Sequence, residues 1–174
     1  MLKHNPNDSG TYVLIGMLED GRGNLDAAIE NYRRALQITP NSPIAANNLA
    51  WIYAAHGRGN LDEATTLVQN LVERFPNEAG YADTLGWVFY KKGLIGPAIA
   101  QFKRAVTLEE QSAALGGRTP NPAYRARLGT VLAASGDKAN AARELEIALK
   151  NPNGLSQGEA DEARIALQNL RGNS

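Results

Sequence analysis

The sequence predicts an all-α chain, an α-solenoid of four helix-turn-helix units closed by one further helix. Three observations carry this expectation. Apolar residues recur at helical spacing in paired runs: Leu85, Val88 and Phe89, then Ala98, Phe102 and Ala105, with charged residues between them. A glycine separates the two runs of each pair, at Gly23, Gly57, Gly93 and Gly136. Glycine takes the left-handed conformation that ends a helix at no steric cost. Small residues then mark one place in every unit, namely Gly16, Ala50, Gly86 and Gly129 in the first helix (A) and Ala28, Ala64, Ala98 and Ala141 in the second (B). Two helices can cross at the short end of the usual ~8–10 Å range only where side chains are small. The A and B anchors are therefore expected to meet. The large residue four positions after the B anchor (Tyr32, Val68, Phe102, Leu145) is expected to fill the gap toward the next unit, with Ala35, Leu71, Ala105 and Ala148 three positions on.

Taken in order, Leu2, Lys3 and Pro6-Asn7-Asp8 fit the tail of a preceding unit. Residues 1–8 are accordingly expected to end an earlier repeat, and the chain to be the C-terminal part of a longer array. The first unit spans 9–42, with Asn24 as the expected cap of its B helix and Pro40 closing it. The second spans 43–78. Ser42-Pro43 reads as N-cap and first-turn proline, His56-Gly57-Arg58 lengthens the turn, Asn60 caps helix B and Pro76 closes the unit. The third spans 79–121 and departs from the pattern, with Glu110 in the closing position. Pro97 to about Leu115 reads as one lengthened helix, with about two extra turns expected to project. Gly116-Gly117 and a loop through Pro122 end it, and Pro97 suits only the first turn. The fourth unit spans 122–155. Asn121-Pro122 starts it and Asp137 caps its B helix. Pro152-Asn153-Gly154 breaks the chain, and 156–170 forms the capping helix, with Ala160, Ala163, Ile165, Leu167 and Leu170 apolar and Glu159, Asp161, Glu162, Arg164 and Arg171 solvated.

Composition excludes several functions. Eighteen basic side chains balance 18 acidic ones, and a neutral chain argues against nucleic acid, whose binding needs a basic face to displace counterions. No cysteine is present, so cysteine zinc sites and disulfides are excluded. No apolar run reaches the roughly 18 residues of a membrane span. The opening MLKHNPNDSG contains no signal-peptide core, which speaks only of the residues in hand.

Side chains able to do chemistry are scattered. His4 and His56 have no metal-ligand neighbours at useful spacing. Gly21-Arg22-Gly23 lacks the Lys-Ser/Thr of a phosphate loop. Ser135 and Ser156 have no nearby histidine. Glu109-Glu110 and Asp161-Glu162 are expected on exposed helix faces as solvated charge. No catalytic residue, metal or cofactor is expected, and the chain is not expected to be an enzyme.

The repeated glycine, alanine and large-residue positions resemble the tetratricopeptide (TPR) repeat, whose unit is about 34 residues. The resemblance covers about nine-tenths of the chain and implies a right-handed superhelix with the A helices lining a concave groove. It also implies a partner protein or peptide in that groove, met by Asn47, Asn48, Trp51 and Ala54, by Asp83, Thr84, Trp87, Tyr90 and Lys91, and by Arg127 and Thr130 beside Ala126. Val13, Met17 and Asp20 are the first unit's counterparts. Both tryptophans occupy one repeat position, where a ring can grip an extended peptide or pack against the neighbouring A helix. Asn47, Asp83 and Arg127 are expected to face the ligand, because burying each without a partner costs about 1–3 kcal/mol. One TPR subclass clamps a C-terminal carboxylate. Here Val13 and Met17 stand in place of its first Lys/Asn pair, and only Asn48 and Arg127 match. The strings NNLAWIYA, DTLGWVFYKKG, YRARLGTVLAASGDKANA and EADEARIAL resemble the last repeats of bacterial multi-repeat envelope proteins, including those accompanying exosortase and exopolysaccharide systems. That resemblance suggests a bacterial source and leaves cytoplasm or periplasm open. The expected function is a scaffold or adaptor. The competing reading is a structural spacer or self-associating module, with homo-oligomerisation left open.

Overall fold

The computed structural model describes residues 7–172, and among them every regular element is helical. The chain falls into two compact units, the first ending at Pro76 and the second beginning at Asn77. The segment expected to be a preceding repeat's tail lies, except for Asn7 and Asp8, outside the described residues.

The first unit holds α1 (Ser9–Gly21), α2 (Leu25–Ile38), α3 (Pro43–His56) and α4 (Leu61–Arg74). Asp8 caps α1 by accepting from the Gly10 amide at 3.1 Å, and Asn60 caps α4 by accepting from the Asp62 and Glu63 amides at 2.7 and 3.2 Å. Two expected caps act otherwise. Asn24 makes no side-chain cap and donates to Glu19 at 2.7 Å, and Ser42 makes none ahead of Pro43. Gly59, with φ of 152°, is required for space as well as conformation. A Cβ there would lie 2.3 Å from the Tyr53 ring.

The second unit holds α5 (Ala79–Lys91), α6 (Ile95–Leu115), α7 (Ala123–Ala134), α8 (Lys138–Lys150), a single 3-10 turn (Pro152–Gly154) and α9 (Gln157–Gly172). Pro97 falls in the first turn of α6, where a missing N–H costs nothing. Pro122 takes the cap position of α7, while the Asn121 side chain accepts from the Ala123 amide at 3.0 Å. Ala98, Phe102, Val106, Leu128, Val131, Leu132 and Ala141 form one buried cluster, and Leu145, Ala163 and Leu167 form a second beneath α9.

The A anchors pack on the B helices, at Gly129 on the B anchor Ala141 itself, and most closely on the large B residue. In three hairpins the A-helix glycine faces the large B residue itself. A Cβ on Gly16 would meet the Tyr32 ring at 2.7 Å, one on Gly86 the Phe102 ring at 3.1 Å, and one on Gly129 the Leu145 side chain at 2.7 Å. The bare glycine surface is the floor on which the ring or branched chain lies, and the same large residue also reaches the next hairpin, as expected: Phe102 packs with Leu128, Val131 and Leu132, Leu145 with Ala163 and Leu167, and the Tyr32 hydroxyl accepts from Asn48. In the second hairpin the anchor is Ala50 and the corresponding B residue is the smaller Val68. Both are fully buried.

Candidate functional site

On α5, Asp83, Trp87 and Lys91 are four residues apart, and Tyr90 lies three from Trp87, so one helix face carries all four. The Trp87 and Tyr90 ring centroids lie 5.3 Å apart at 37°. Lys91 Nζ sits 5.1 Å from the Trp87 centroid and 6.0 Å from that of Tyr90, within the range of a cation–π contact. Beneath them, Trp87 meets Phe102 edge-on at 6.1 Å. Trp87 is therefore anchored on the core by one edge and is half-buried, with its indole nitrogen buried.

Asp83 is 3% exposed. Its Oδ2 accepts from Arg127 Nη1 of α7, while Oδ1 is buried and accepts no hydrogen bond among the described residues. Burial pushes this carboxyl up to about 6, against the pull of the Arg127 charge. Arg127 reaches α9 with its other nitrogen, Nη2, which donates to Glu159 Oε1 at 2.9 Å. Asp83 and Arg127 thus avoid the cost that favours a ligand-facing placement, because each is the other's partner. Burial acts to raise the Glu159 carboxyl, but hydrogen bonds from Ser156 and the Arg127 charge outweigh it and hold it below the ordinary range.

Glu159 is not among the residues expected at the site, yet the sequence carries a signal for it. Ser156 and Glu159 form a capping box, with the Ser156 amide and hydroxyl donating to Glu159 Oε2 at 3.0 and 2.9 Å and the Glu159 amide donating to Ser156 Oγ at 3.3 Å. The other expected residues of this unit lie close by. Thr84 is buried and donates to the Gly80 carbonyl, Ala126 is buried, and Thr130 donates to the Ala126 carbonyl.

In the first unit, Asn47, Asn48 and Trp51 share α3 and are half-buried. Asn48 is turned inward, donating to the Tyr32 hydroxyl at 3.1 Å. Val13 and Ala54 are buried, and Met17 is exposed. His56 is exposed at the end of α3.

Glu109 and Glu110 are not a solvated pair. Glu109 is 6% exposed, and one of its oxygens accepts from the Asn121 amide at 2.6 Å while Arg118 forks across both. Arg125 bridges Glu110 to Glu144 of α8. Of the last five residues of α6, Ala113 is buried, while Gln111, Ser112, Ala114 and Leu115 are exposed, Leu115 to 92%. The reason Glu109 is not solvated lies in the loop, which folds back and brings a guanidinium to the carboxylate. The Arg118 hydrogen bonds outweigh burial and hold Glu109 below its ordinary value of 4.5. A carboxyl lowered on folding stabilises above that value and loses its contribution as pH falls through the lowered one. Glu109→Gln is expected to speed hydrogen exchange at the Asn121 amide about tenfold at neutral pH, the loss of a bond worth about 1–1.5 kcal/mol. In the parent chain, the same loosening should follow acidification below the ordinary glutamate range.

Among the described residues no helix is long and apolar enough to cross a membrane, and no group of three or more His, Asp or Glu is placed to hold a metal.

A family profile for the TPR repeat matches residues 22–57. No curated protein matches the sequence. Solved structures do match in fold. A type IV pilus biogenesis factor, PilW, superposes with a TM-score of 0.74 at 18% identity, covering 99% of this chain and 79% of that one. A thermophilic TPR protein of Thermus thermophilus gives 0.74 at 19% identity, covering 96% and 85%. YrrB, described as a TPR protein with an unusual peptide-binding site, gives 0.64 at 19% identity, covering 98% and 80%. These likenesses, with the nine α-helices among the described residues, show an all-α TPR fold.

Proposed function

Taking the chain as a tetratricopeptide-repeat protein, we propose that it is an interaction scaffold that binds a protein or peptide partner in the concave groove the repeat implies. On this reading it holds four repeats and a capping helix. The partner lies along the α5 and α7 face, on Trp87, Tyr90 and Lys91 beside the Asp83–Arg127 pair, and Asn47, Asn48 and Trp51 offer the equivalent stripe on α3. The observation that carries the proposal is the Trp87–Tyr90–Lys91 cluster. Two half-buried aromatic rings lie side by side, Trp87 seated edge-on against Phe102, with the Lys91 cation laid across both. Pre-ordered rings of this kind lose little entropy on binding and are the usual source of interface energy. The described peptide-binding site of YrrB supports a peptide ligand by analogy of fold.

The test is capture of partners from a lysate of the source organism on immobilised chain, with Lys91→Glu and Trp87→Ala beside it. Lys91 is exposed, so Lys91→Glu should leave the melting curve unchanged and weaken retention of the partner about fivefold or more. Trp87→Ala should weaken it at least tenfold, roughly the scale of a hot-spot aromatic. It should also cost some stability through the lost Phe102 contact. Retention unchanged in both variants would remove the site from this face.

One observation favours the alternative, a self-associating module. Leu14, Met17 and Leu18 of α1 and Ile44 of α3 are each about half exposed or more. A sedimentation mass that rises with concentration, and falls to the monomer in Leu14→Glu, would support it.

A further inference from the structure

Arg127 holds two carboxylates of different character. Asp83 is almost fully buried, at 4% side-chain exposure, and fixes one edge of the guanidinium. Glu159 is one-third exposed and occupies the other edge. Glu159 also divides its own work. Oε1 serves Arg127, while Oε2 serves the Ser156 amide and hydroxyl at the start of α9. Withdrawing from Arg127 therefore leaves the capping bonds in place. An outside carboxylate that takes the place of Glu159 on this edge makes the same charge-assisted bond. Asp83, on the opposite edge, lies one helical turn along α5 from Trp87.

We propose that Glu159 is an internal stand-in for an acidic side chain of the partner, so that α9 competes with an acidic peptide for Arg127. This rests on the groove reading above and gives the partner's chemistry: a glutamate or aspartate next to an apolar residue that lies on Trp87. A tethered competitor is present at a high effective concentration. Apparent affinity is then lowered by the fraction of molecules in which Arg127 is open.

The experiment is an NMR titration of the whole chain with a blocked pentapeptide carrying one glutamate between two leucines, run beside its glutamine counterpart. The glutamate peptide should shift the Arg127 Nε–H, the Trp87 indole and the Ser156 and Glu159 amides along one saturation curve. Glu159→Gln, which keeps a capping side chain, should bind it about 3- to 10-fold tighter, or about 0.7–1.4 kcal/mol. Arg127→Lys keeps a charge for Asp83 but cannot fork to a second carboxylate, and should bind the two peptides equally. Shifts on α5 and α7 that are the same for both peptides and unchanged by Glu159→Gln would overturn the exchange while leaving the groove reading standing. An absence of shifts on α5 and α7 with either peptide, even in Glu159→Gln, would overturn both.

Discussion

Arg127→Met is expected to lower the stability of the second unit by about 3–5 kcal/mol at pH 7.5, because it strands a buried, ionised Asp83. Glu159 loses the same partner but is partly solvated and should suffer little. The sign with pH is specific. Burial raises Asp83 to about 6 even with Arg127 present. A carboxyl raised on folding favours the folded state below its unfolded value and loses that contribution as pH climbs through the folded one. The penalty of Arg127→Met should therefore shrink at pH 5, where Asp83 accepts a proton and needs no cation. Asp83→Asn in the Arg127→Met background should recover most of the loss at pH 7.5. Urea unfolding of the parent, both single variants and the double variant at both pH values checks this. A pH-independent penalty, or no rescue by Asp83→Asn, would show that Arg127 stabilises by packing.

Gly129→Ala carries the second large effect and should cost about 2–3 kcal/mol. Replacing a helical glycine with alanine ordinarily gains about 0.5–1 kcal/mol from backbone entropy. At Gly129 the new Cβ would lie 2.7 Å from Leu145 Cγ and 3.2 Å from the Ala141 carbonyl, and a helix backbone cannot step aside. At Gly86 the nearest atoms are those of the Phe102 ring at 3.1 Å, which can tilt, so Gly86→Ala should leave stability nearly unchanged. Gly158 has nothing within 4 Å, and Gly158→Ala should stabilise. Thermal midpoints ordered Gly158→Ala, Gly86→Ala, Gly129→Ala, from highest to lowest, are the expected result. Equal midpoints for the last two would mean that hairpin spacing yields more readily than the 3.2 Å backbone contact implies.

The helices and turns are legible in the sequence because they are written locally. Gly23, Gly57, Gly93 and Gly136 all have positive φ, and Asn60 and Asp137 cap the helices they precede. The Ser156–Glu159 capping box is equally local and is readable from its spacing. The polar site is not legible in the same way. Asp83 and Arg127 are 44 positions apart, so neither announces that the other will neutralise it. Glu109 meets Arg118 only because the chain reverses after α6, and a pattern of exposed and buried faces on the helix alone cannot anticipate that reversal. Sequence reasoning weighs each charge against water; the fold weighs it against whatever is brought alongside.

The facing of A-helix glycine against a large B residue makes the hairpins members of a set whose parts are not interchangeable. Gly16 with Tyr32, Gly86 with Phe102 and Gly129 with Leu145 are lock-and-key couples, and Ala50 with Val68 is a couple of another cut. Shuffling hairpins whole should preserve every couple, whereas exchanging A helices alone would place an alanine against Leu145 and the Ala141 carbonyl or leave a glycine facing a valine. Within such an array the unit that can be copied, moved or allowed to drift is the two-helix cassette, and where the contact is as tight as at Gly129, substitutions at the two facing positions should be tolerated in tandem when the A-helix change alone is rejected.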